Sequence, residues 1–193
     1  YKGTELFNRS EYARAVNMFD EASALDYDKN ITIQAHYWAG EAYSIGNRWE
    51  DAINEYAAVF RLSRDGNPYH LKSRYGIGYA YFNLKEYEKA EPNFEAYLRQ
   101  GSSSAQNYRD ALLRLADCHY AQKSYEEALA IYQQSIRENH PDMDYALYQT
   151  GVVRGLLNQK NAAIEALNKV ISEHRRSAYH DDALFEKAQI LFE

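Results

Sequence analysis

The sequence predicts an all-α solenoid built from antiparallel pairs of helices, and three observations support this prediction. A set of four residues, spaced by three, four and three positions, recurs five times along the 193 residues. A small residue stands twelve positions before the second member of each set. Turn-forming stretches rich in glycine, proline, asparagine and serine separate the copies. Self-similarity at a fixed period of this length is typical of stacked helical repeats.

The recurring set defines the second helix of each pair, because its spacing places all four side chains on one helical face. The five sets are Tyr12, Ala15, Phe19 and Ala22; Trp49, Ala52, Tyr56 and Val59; Tyr87, Ala90, Phe94 and Tyr97; Tyr125, Ala128, Tyr132 and Ser135; and Lys160, Ala163, Leu167 and Val170. Pro92 falls just beyond the first turn of the third of these helices, where its missing N–H removes at most about one hydrogen bond. That segment is therefore still expected to be helical.

The small residues define a first helix in each pair, since they allow two helix backbones to approach closely. They are Gly3, Gly40, Gly78, Ala116 and Gly151. Ala188 continues the pattern into a sixth first helix. We expect one repeat domain over residues 1–193, cut from a longer protein. Its repeats are placed at about 1–29, 30–66, 67–103, 104–141 and 142–177, with a partial unit at 178–193.

These five copies of a small residue, an aromatic, an alanine and a second large residue resemble the tetratricopeptide repeat (TPR) family over nearly the whole chain. The resemblance implies a right-handed superhelix in which the first helices line a concave inner surface that usually holds the ligand. Arg154 and Lys160 depart from the pattern, because the family carries aromatics at those places. The spacing also exceeds the usual period of about 34 residues, so longer helices or connections are expected.

The segment from Ser172 to Glu193 is similar to linking segments of bacterial envelope TPR proteins, such as the Tol–Pal coordinator and lipoproteins of outer-membrane barrel assembly. In those proteins a tyrosine and an acidic pair lead into the next first helix, as Tyr179, Asp181 and Asp182 do here. This similarity favours a bacterial periplasm or cell envelope as the location, with the cytoplasm as the alternative.

Composition excludes several classes of partner and site. The net charge of −6 argues against nucleic acid, which requires a basic face. No apolar run approaches the roughly 20 residues of a membrane span, so membrane insertion of this segment is not expected. Cys118, the one cysteine, occupies the place of Ala42 and Ala80 in neighbouring repeats, which predicts a buried, unreactive thiol.

No constellation of reactive side chains predicts an enzyme, a cofactor site or a metal site. The six histidines are scattered along the helices as His36, His70, His119, His140, His174 and His180, without the spacing of metal ligands. The acidic runs lie at the starts of second helices, where carboxylates favour the positive end of the helix dipole. We therefore expect no catalytic, cofactor-binding or metal-binding residues.

Aromatic residues on the first helices provide the candidate binding surface. Eight of the 19 tyrosines occupy packing places of the repeat, and some of the others fall on a second helical face about 100° away. We call this face the inner stripe; its residues are Tyr37, Glu41, Tyr75, Tyr79, Phe82, Leu113, Asp117, Tyr120 and Tyr148. The resemblance places it on the concave surface. The alternative is that some of these residues simply pack against the neighbouring repeat.

The sequence thus predicts a non-catalytic scaffold that binds a protein or peptide through the inner stripe. The alternative is a structural spacer or self-association segment within a larger multidomain protein, and self-association would make the chain a homo-oligomer. The resemblance does not extend to chaperone-binding TPR domains, which hold a C-terminal carboxylate with lysine, arginine and asparagine on the inner face. Here the corresponding places carry Tyr37, Glu41, Tyr75, Tyr79, Leu113 and Asp117.

Overall fold

The computed structural model describes residues 2–25, 28–64, 66–102, 107–138 and 141–192. These residues form eleven α-helices and no strand. The helices are α1 (Lys2–Asn8), α2 (Tyr12–Ala24), α3 (Lys29–Ile45), α4 (Trp49–Leu62), α5 (Pro68–Asn83), α6 (Tyr87–Gln100), α7 (Tyr108–Ala121), α8 (Tyr125–Arg137), α9 (Met143–Leu156), α10 (Lys160–Glu173) and α11 (His180–Phe192). The all-α prediction is confirmed, and α6 runs through Pro92. His140 lies outside the described residues.

The chain divides into two compact units, residues 1–108 and 109–193. Unit 1 contains α1 to α6, and unit 2 contains the helices from α7 onward. Each unit has its own buried apolar clusters. In unit 1 they surround Phe19 and Tyr56, and in unit 2 they surround Tyr132 and Leu167. The single repeat domain over residues 1–193 and its repeat boundaries stay predictions.

Each turn between a first and a second helix has the same backbone conformation. One residue in each turn has a positive φ between 56° and 63°; these residues are Ser10, Asn47, Lys85, Lys123 and Asn158. The next N–H then donates to a carbonyl five residues back, as from Arg48 to Tyr43 at 2.9 Å. This pattern ends the first helix with its last carbonyls satisfied. The second helix begins one residue later and is therefore held antiparallel to the first.

The small residues lie where two helices of a pair approach most closely. A methyl group on Gly40 would come within 2.6 Å of the Tyr56 ring, and one on Gly151 within 2.5 Å of Leu167 Cγ. In each case the side chain packed against the glycine is the third member of the recurring set. The five marker alanines, Ala15, Ala52, Ala90, Ala128 and Ala163, are completely buried. The predicted close packing of the small residues and the marker alanines is thus confirmed, whereas Lys160 at the first place of the fifth set is exposed. Cys118 is buried as expected.

Two buried tyrosine hydroxyls are satisfied by carboxylates on the first helices. Tyr56 donates to Glu41 Oε1 at 2.6 Å in unit 1. In unit 2, Tyr132 donates to Asp117 Oδ1 at 2.6 Å. Each carboxylate directly follows the small residue of its repeat. The tyrosine stands sixteen positions after that small residue. A buried hydroxyl without a partner would cost about 1–3 kcal/mol, so these acids have a packing role.

Repeats that lack a tyrosine at this packing place also lack the acid. Phe19, Phe94 and Leu167 fill the place in the other repeats, and none of these side chains has a hydroxyl. The residue after the small residue is then Thr4, Tyr79 or Val152. The identity of the packing residue therefore decides whether the first helix needs a carboxylate there.

The carboxylate of Asp117 accepts hydrogen bonds from three side chains. Besides Tyr132, it accepts a hydrogen bond from Tyr145 at 2.7 Å and one from Arg114 at 2.6 Å. Burial raises the pKa of this carboxyl, while the two phenols and the charge of Arg114 act in the opposite direction. Asp117 therefore joins α7, α8 and α9 through one buried group.

We expect Gly151→Ala to lower the free energy of unfolding by about 1–2 kcal/mol. Its methyl group would overlap Leu167, and overpacking of about 1–3 kcal/mol outweighs the gain of about 1 kcal/mol in helix propensity. Chemical denaturation followed by circular dichroism measures this change. Gly155→Ala, one turn later in α9, is the matched control, because its methyl group would lie an ordinary 3.4 Å from Ile190 Cδ1. Equal losses in both variants would contradict the packing role of Gly151.

We expect Asp117→Ala to cost about 3–5 kcal/mol, because it removes the acceptor of two phenols and the partner of Arg114. Tyr132→Phe should cost only about 0.5–1.5 kcal/mol, since the carboxylate keeps its other donors. Asp110→Ala is the control: Asp110 also pairs with Arg114, at 3.4 Å, but its side chain is 39% exposed. Its effect should stay within about 0.5 kcal/mol. A Tyr132→Phe variant as unstable as Asp117→Ala would refute this account.

Candidate functional site

Three residues of the inner stripe are buried by packing within the fold. Tyr37 and Asp117 are each 8% exposed, and Leu113 is 1% exposed. Tyr37 lies among aromatic rings, 5.1 Å from Tyr69 on the next repeat. Leu113 belongs to the apolar cluster around Tyr132. Their contacts show packing, which is the alternative that the sequence left open for the stripe.

Three other stripe residues, Glu41, Tyr75 and Tyr79, come together at one cleft in unit 1. The cleft has a volume of about 370 Å³ and lies between the end of α3, the start of α4 and the middle of α5. Its lining also includes Ser44, Trp49 and Tyr56. A space of this size holds one or two amino-acid side chains.

The open edge of the cleft is aromatic. The ring of Trp49 lies 6.2 Å from the ring of Tyr79, and Tyr79 lies 5.9 Å from Tyr75. Tyr79 is 36% exposed, whereas Tyr75 is anchored from behind by Tyr97 at 5.5 Å. The edge therefore combines one fixed ring with two rings that are accessible to a ligand.

The floor of the cleft is the hydrogen-bonded pair of Tyr56 and Glu41. Ser44 Oγ lies 3.3 Å from the Tyr56 hydroxyl and extends this polar floor. Glu41 is the one charged residue among those that line the cleft. Burial raises the pKa of its carboxyl, while hydrogen bonds from Tyr56 and Tyr37 and the charge of Lys72 lower it. The cleft thus presents apolar rings above a single acidic group.

Sequence reasoning missed the part of the cleft that comes from the turn between α3 and α4. Ile45, Asn47 and Trp49 line it, and Ile45 is 50% exposed. Asn47 is the residue with positive φ in that turn. Trp49 was assigned to a packing place of the repeat, where other copies carry tyrosine or lysine. Its larger ring system at the start of a second helix was the signal that could have identified it.

The remaining stripe residues do not line this cleft. Phe82 in unit 1 packs 5.5 Å from Tyr87, within its own repeat. In unit 2, Tyr120 lies 6.0 Å from Tyr125, and Tyr148 stacks on Tyr179 at 5.5 Å with an interplanar angle of 14°. Burial is the main cause that raises the pKa of Tyr120 and of Tyr148, and the carboxylate of Glu186 adds to it.

Within the described part of the chain, no three histidine, cysteine or carboxylate side chains are grouped so that they could share a metal ion. None of the described helices combines the length and the apolar character needed to cross a bilayer.

The fold is shared with solved TPR structures. YrrB, described as a TPR protein with an unusual peptide-binding site, superposes with a TM-score of 0.79 at 22% identity, covering 96% of this chain and 88% of that one. Residues 41 to the end of MamA from Desulfovibrio magneticus RS-1 give 0.74 at 19% identity, covering 91% and 93%. A putative kinesin light chain from Podosopora anserina gives 0.71 at 15% identity, covering 91% and 93%. At these identities the likeness shows the fold alone.

Matches to family profiles identify the protein family of this chain. No relative matches among curated protein sequences. One profile described as tetratricopeptide repeat matches residues 2–67, 46–105 and 75–144, and a second profile with the same description matches residues 145–177. Together these matches span nearly the whole chain and agree with the helix pairs seen in the structure. The chain therefore belongs to the tetratricopeptide repeat family.

Proposed function

We propose that this chain is a protein-binding scaffold and that the cleft between α3, α4 and α5 holds a side chain of an extended peptide segment. The observation that carries this proposal is the aromatic edge formed by Trp49 and Tyr79 above the floor of Tyr56 and Glu41. Repeat solenoids bind their partners on extended surfaces, and the similar protein YrrB is described as having a peptide-binding site. The partner is therefore a protein segment rather than a small metabolite.

Aromatic rings at an open edge suit an apolar side chain of the ligand. Trp and Tyr contribute large contact areas and few rotatable bonds, which is why they dominate the binding energy of many interfaces. Tyr75 is held against Tyr97 and Phe94, so it provides a fixed wall and loses little freedom on binding. The ligand is expected to pack an aliphatic or aromatic residue against the edge formed by Trp49 and Tyr79, whose rings contact each other.

The single charge of the cleft sets the preference for flanking residues. Glu41 favours a neutral or basic neighbour of the inserted side chain, and it disfavours an acidic one because of like-charge repulsion. We further propose that the chain acts by binding alone. TPR domains are in general non-catalytic scaffolds, and Ser44, Tyr56 and Glu41 on the floor of this cleft are hydrogen-bonded to one another.

We expect Trp49→Ala and Tyr79→Ala each to weaken peptide binding at least tenfold, because each change removes one of the accessible rings. A peptide is first selected from a random library displayed on phage against the full chain, and its affinity is measured by fluorescence anisotropy. Phe185→Ala is the control, since Phe185 is 66% exposed on α11 and does not line the cleft. Unchanged affinity in both cleft variants would exclude the cleft, and failure to select any peptide would favour the spacer role.

We expect Glu41→Gln to keep the fold and to alter selectivity. The amide oxygen can still accept from Tyr56, while the negative charge is lost. A selected peptide with a lysine beside the apolar residue should lose affinity about threefold to tenfold, and its glutamine counterpart should be unaffected. Equal effects on the two peptides would show that Glu41 contributes no charge to recognition.

A further inference from the structure

We propose a second binding site in unit 2: a cationic pocket between α8, α9 and α10 that takes the carboxylate of an acidic residue in a peptide partner. The pocket has a volume of about 240 Å³, and Arg137, Arg154 and Lys169 line it together with Glu165. It is formed by other helices than the cleft of unit 1 and does not depend on the function proposed for that cleft.

The acidic residue that lines the pocket balances only one of its three positive charges. Lys169 pairs with Glu165 at 3.4 Å, which leaves the guanidinium groups of Arg137 and Arg154 as net positive charges. Neither arginine forms an ion pair with a described residue. The chain as a whole carries a net charge of −6, so this pocket is a local exception to its acidic surface.

Two polar groups at the pocket also lack a hydrogen-bond partner. Within the described residues, Thr150 Oγ1 and Arg154 Nε are both buried and neither is hydrogen-bonded. Thr150 itself is only 4% exposed. Buried polar groups are nearly always paired, because leaving one unpaired costs about 1–3 kcal/mol. A ligand oxygen that accepts from these groups would remove that cost on binding.

This positive charge is not shared by every groove of the same kind. The corresponding groove between α2, α3 and α4 contains His36 and Glu55, whose Nδ1 and Oε2 atoms lie 2.7 Å apart. In that groove burial, with the nearby charge of Glu55, raises the pKa of Asp20. An anionic ligand would therefore be repelled there and attracted at the pocket of unit 2.

Shape and lining favour a peptide carboxylate as the ligand. Ile136 and Leu147 add apolar surface beside the two arginines, and Leu147 is buried. Arginine forms strong charge-assisted hydrogen bonds with carboxylates, and apolar surface accepts a neighbouring aliphatic side chain. The expected ligand segment alternates acidic and aliphatic residues.

The test uses the full chain and a blocked Leu-Glu-Leu-Glu peptide, with Leu-Gln-Leu-Gln and Leu-phosphoserine-Leu-phosphoserine as comparison probes. Binding is followed through the NMR signal of the Arg154 Nε–H group, which reports directly on the unpaired donor. We expect the glutamate peptide to shift this signal in a saturable manner and the glutamine peptide to leave it unchanged.

Arg137→Gln should weaken binding of the glutamate peptide about tenfold. Arg137 is exposed at the end of α8, so this variant should fold normally. Arg99→Gln is the matched control, since Arg99 occupies the same repeat position at the end of α6 and does not line the pocket. Equal weakening by both variants would show general charge attraction and overturn the proposal. Absence of any shift with the glutamate peptide would also overturn it, and tighter binding of the phosphoserine peptide would replace the carboxylate by a phosphate group.

Discussion

The close approach of two helices at a small residue is the constraint on which the rest of this structure depends. At Gly40 the backbone leaves room for the ring of Tyr56, and at Gly151 it leaves room for Leu167. Gly76 on the next repeat borders the other side of the Tyr56 ring, because a methyl group on Gly76 would lie 2.5 Å from Tyr56 Cζ. One large side chain therefore fixes both the pairing within a repeat and the stacking onto the next repeat. Nearest-neighbour packing of this kind is what makes a repeat solenoid stable.

This constraint determines where polar groups are placed. A tyrosine that fills the gap brings a hydroxyl into the core, and the adjacent first helix must then supply an acceptor. Glu41 and Asp117 meet that need, so their positions on the inner stripe follow from packing. Phe94 makes no such demand, and Tyr79 on the equivalent position is free to face the cleft. The choice between tyrosine and phenylalanine in the core thus decides whether this position on the first helix needs an acid or can carry another residue.

The sequence was sufficient to predict the helix pairs, the marker alanines and the small residues, because these features repeat and depend on helical geometry alone. It was insufficient to predict which residues of the inner stripe are accessible, because the burial of each side chain depends on the residues that the neighbouring repeat packs over it. Tyr37 and Tyr75 share one register position, yet Tyr37 is buried against Tyr69 while Tyr75 borders an open cleft. Trp49 was assigned to packing because it shares its register position with Tyr12, Tyr87 and Tyr125. Comparing the packing residues with the acids that follow the small residues would have shown from the sequence that Glu41 and Asp117 are partners of Tyr56 and Tyr132.

The cleft and the cationic pocket carry opposite electrostatic preferences, and this difference constrains how the scaffold selects partners. The cleft has the buried carboxylate of Glu41 beneath aromatic rings, and the pocket has Arg137 and Arg154 beside apolar surface. A segment suited to one site is therefore disfavoured at the other, because burying a charge next to a like charge costs free energy at both. We therefore expect the two sites to take different kinds of segment, a basic or neutral apolar one at the cleft and an acidic one at the pocket.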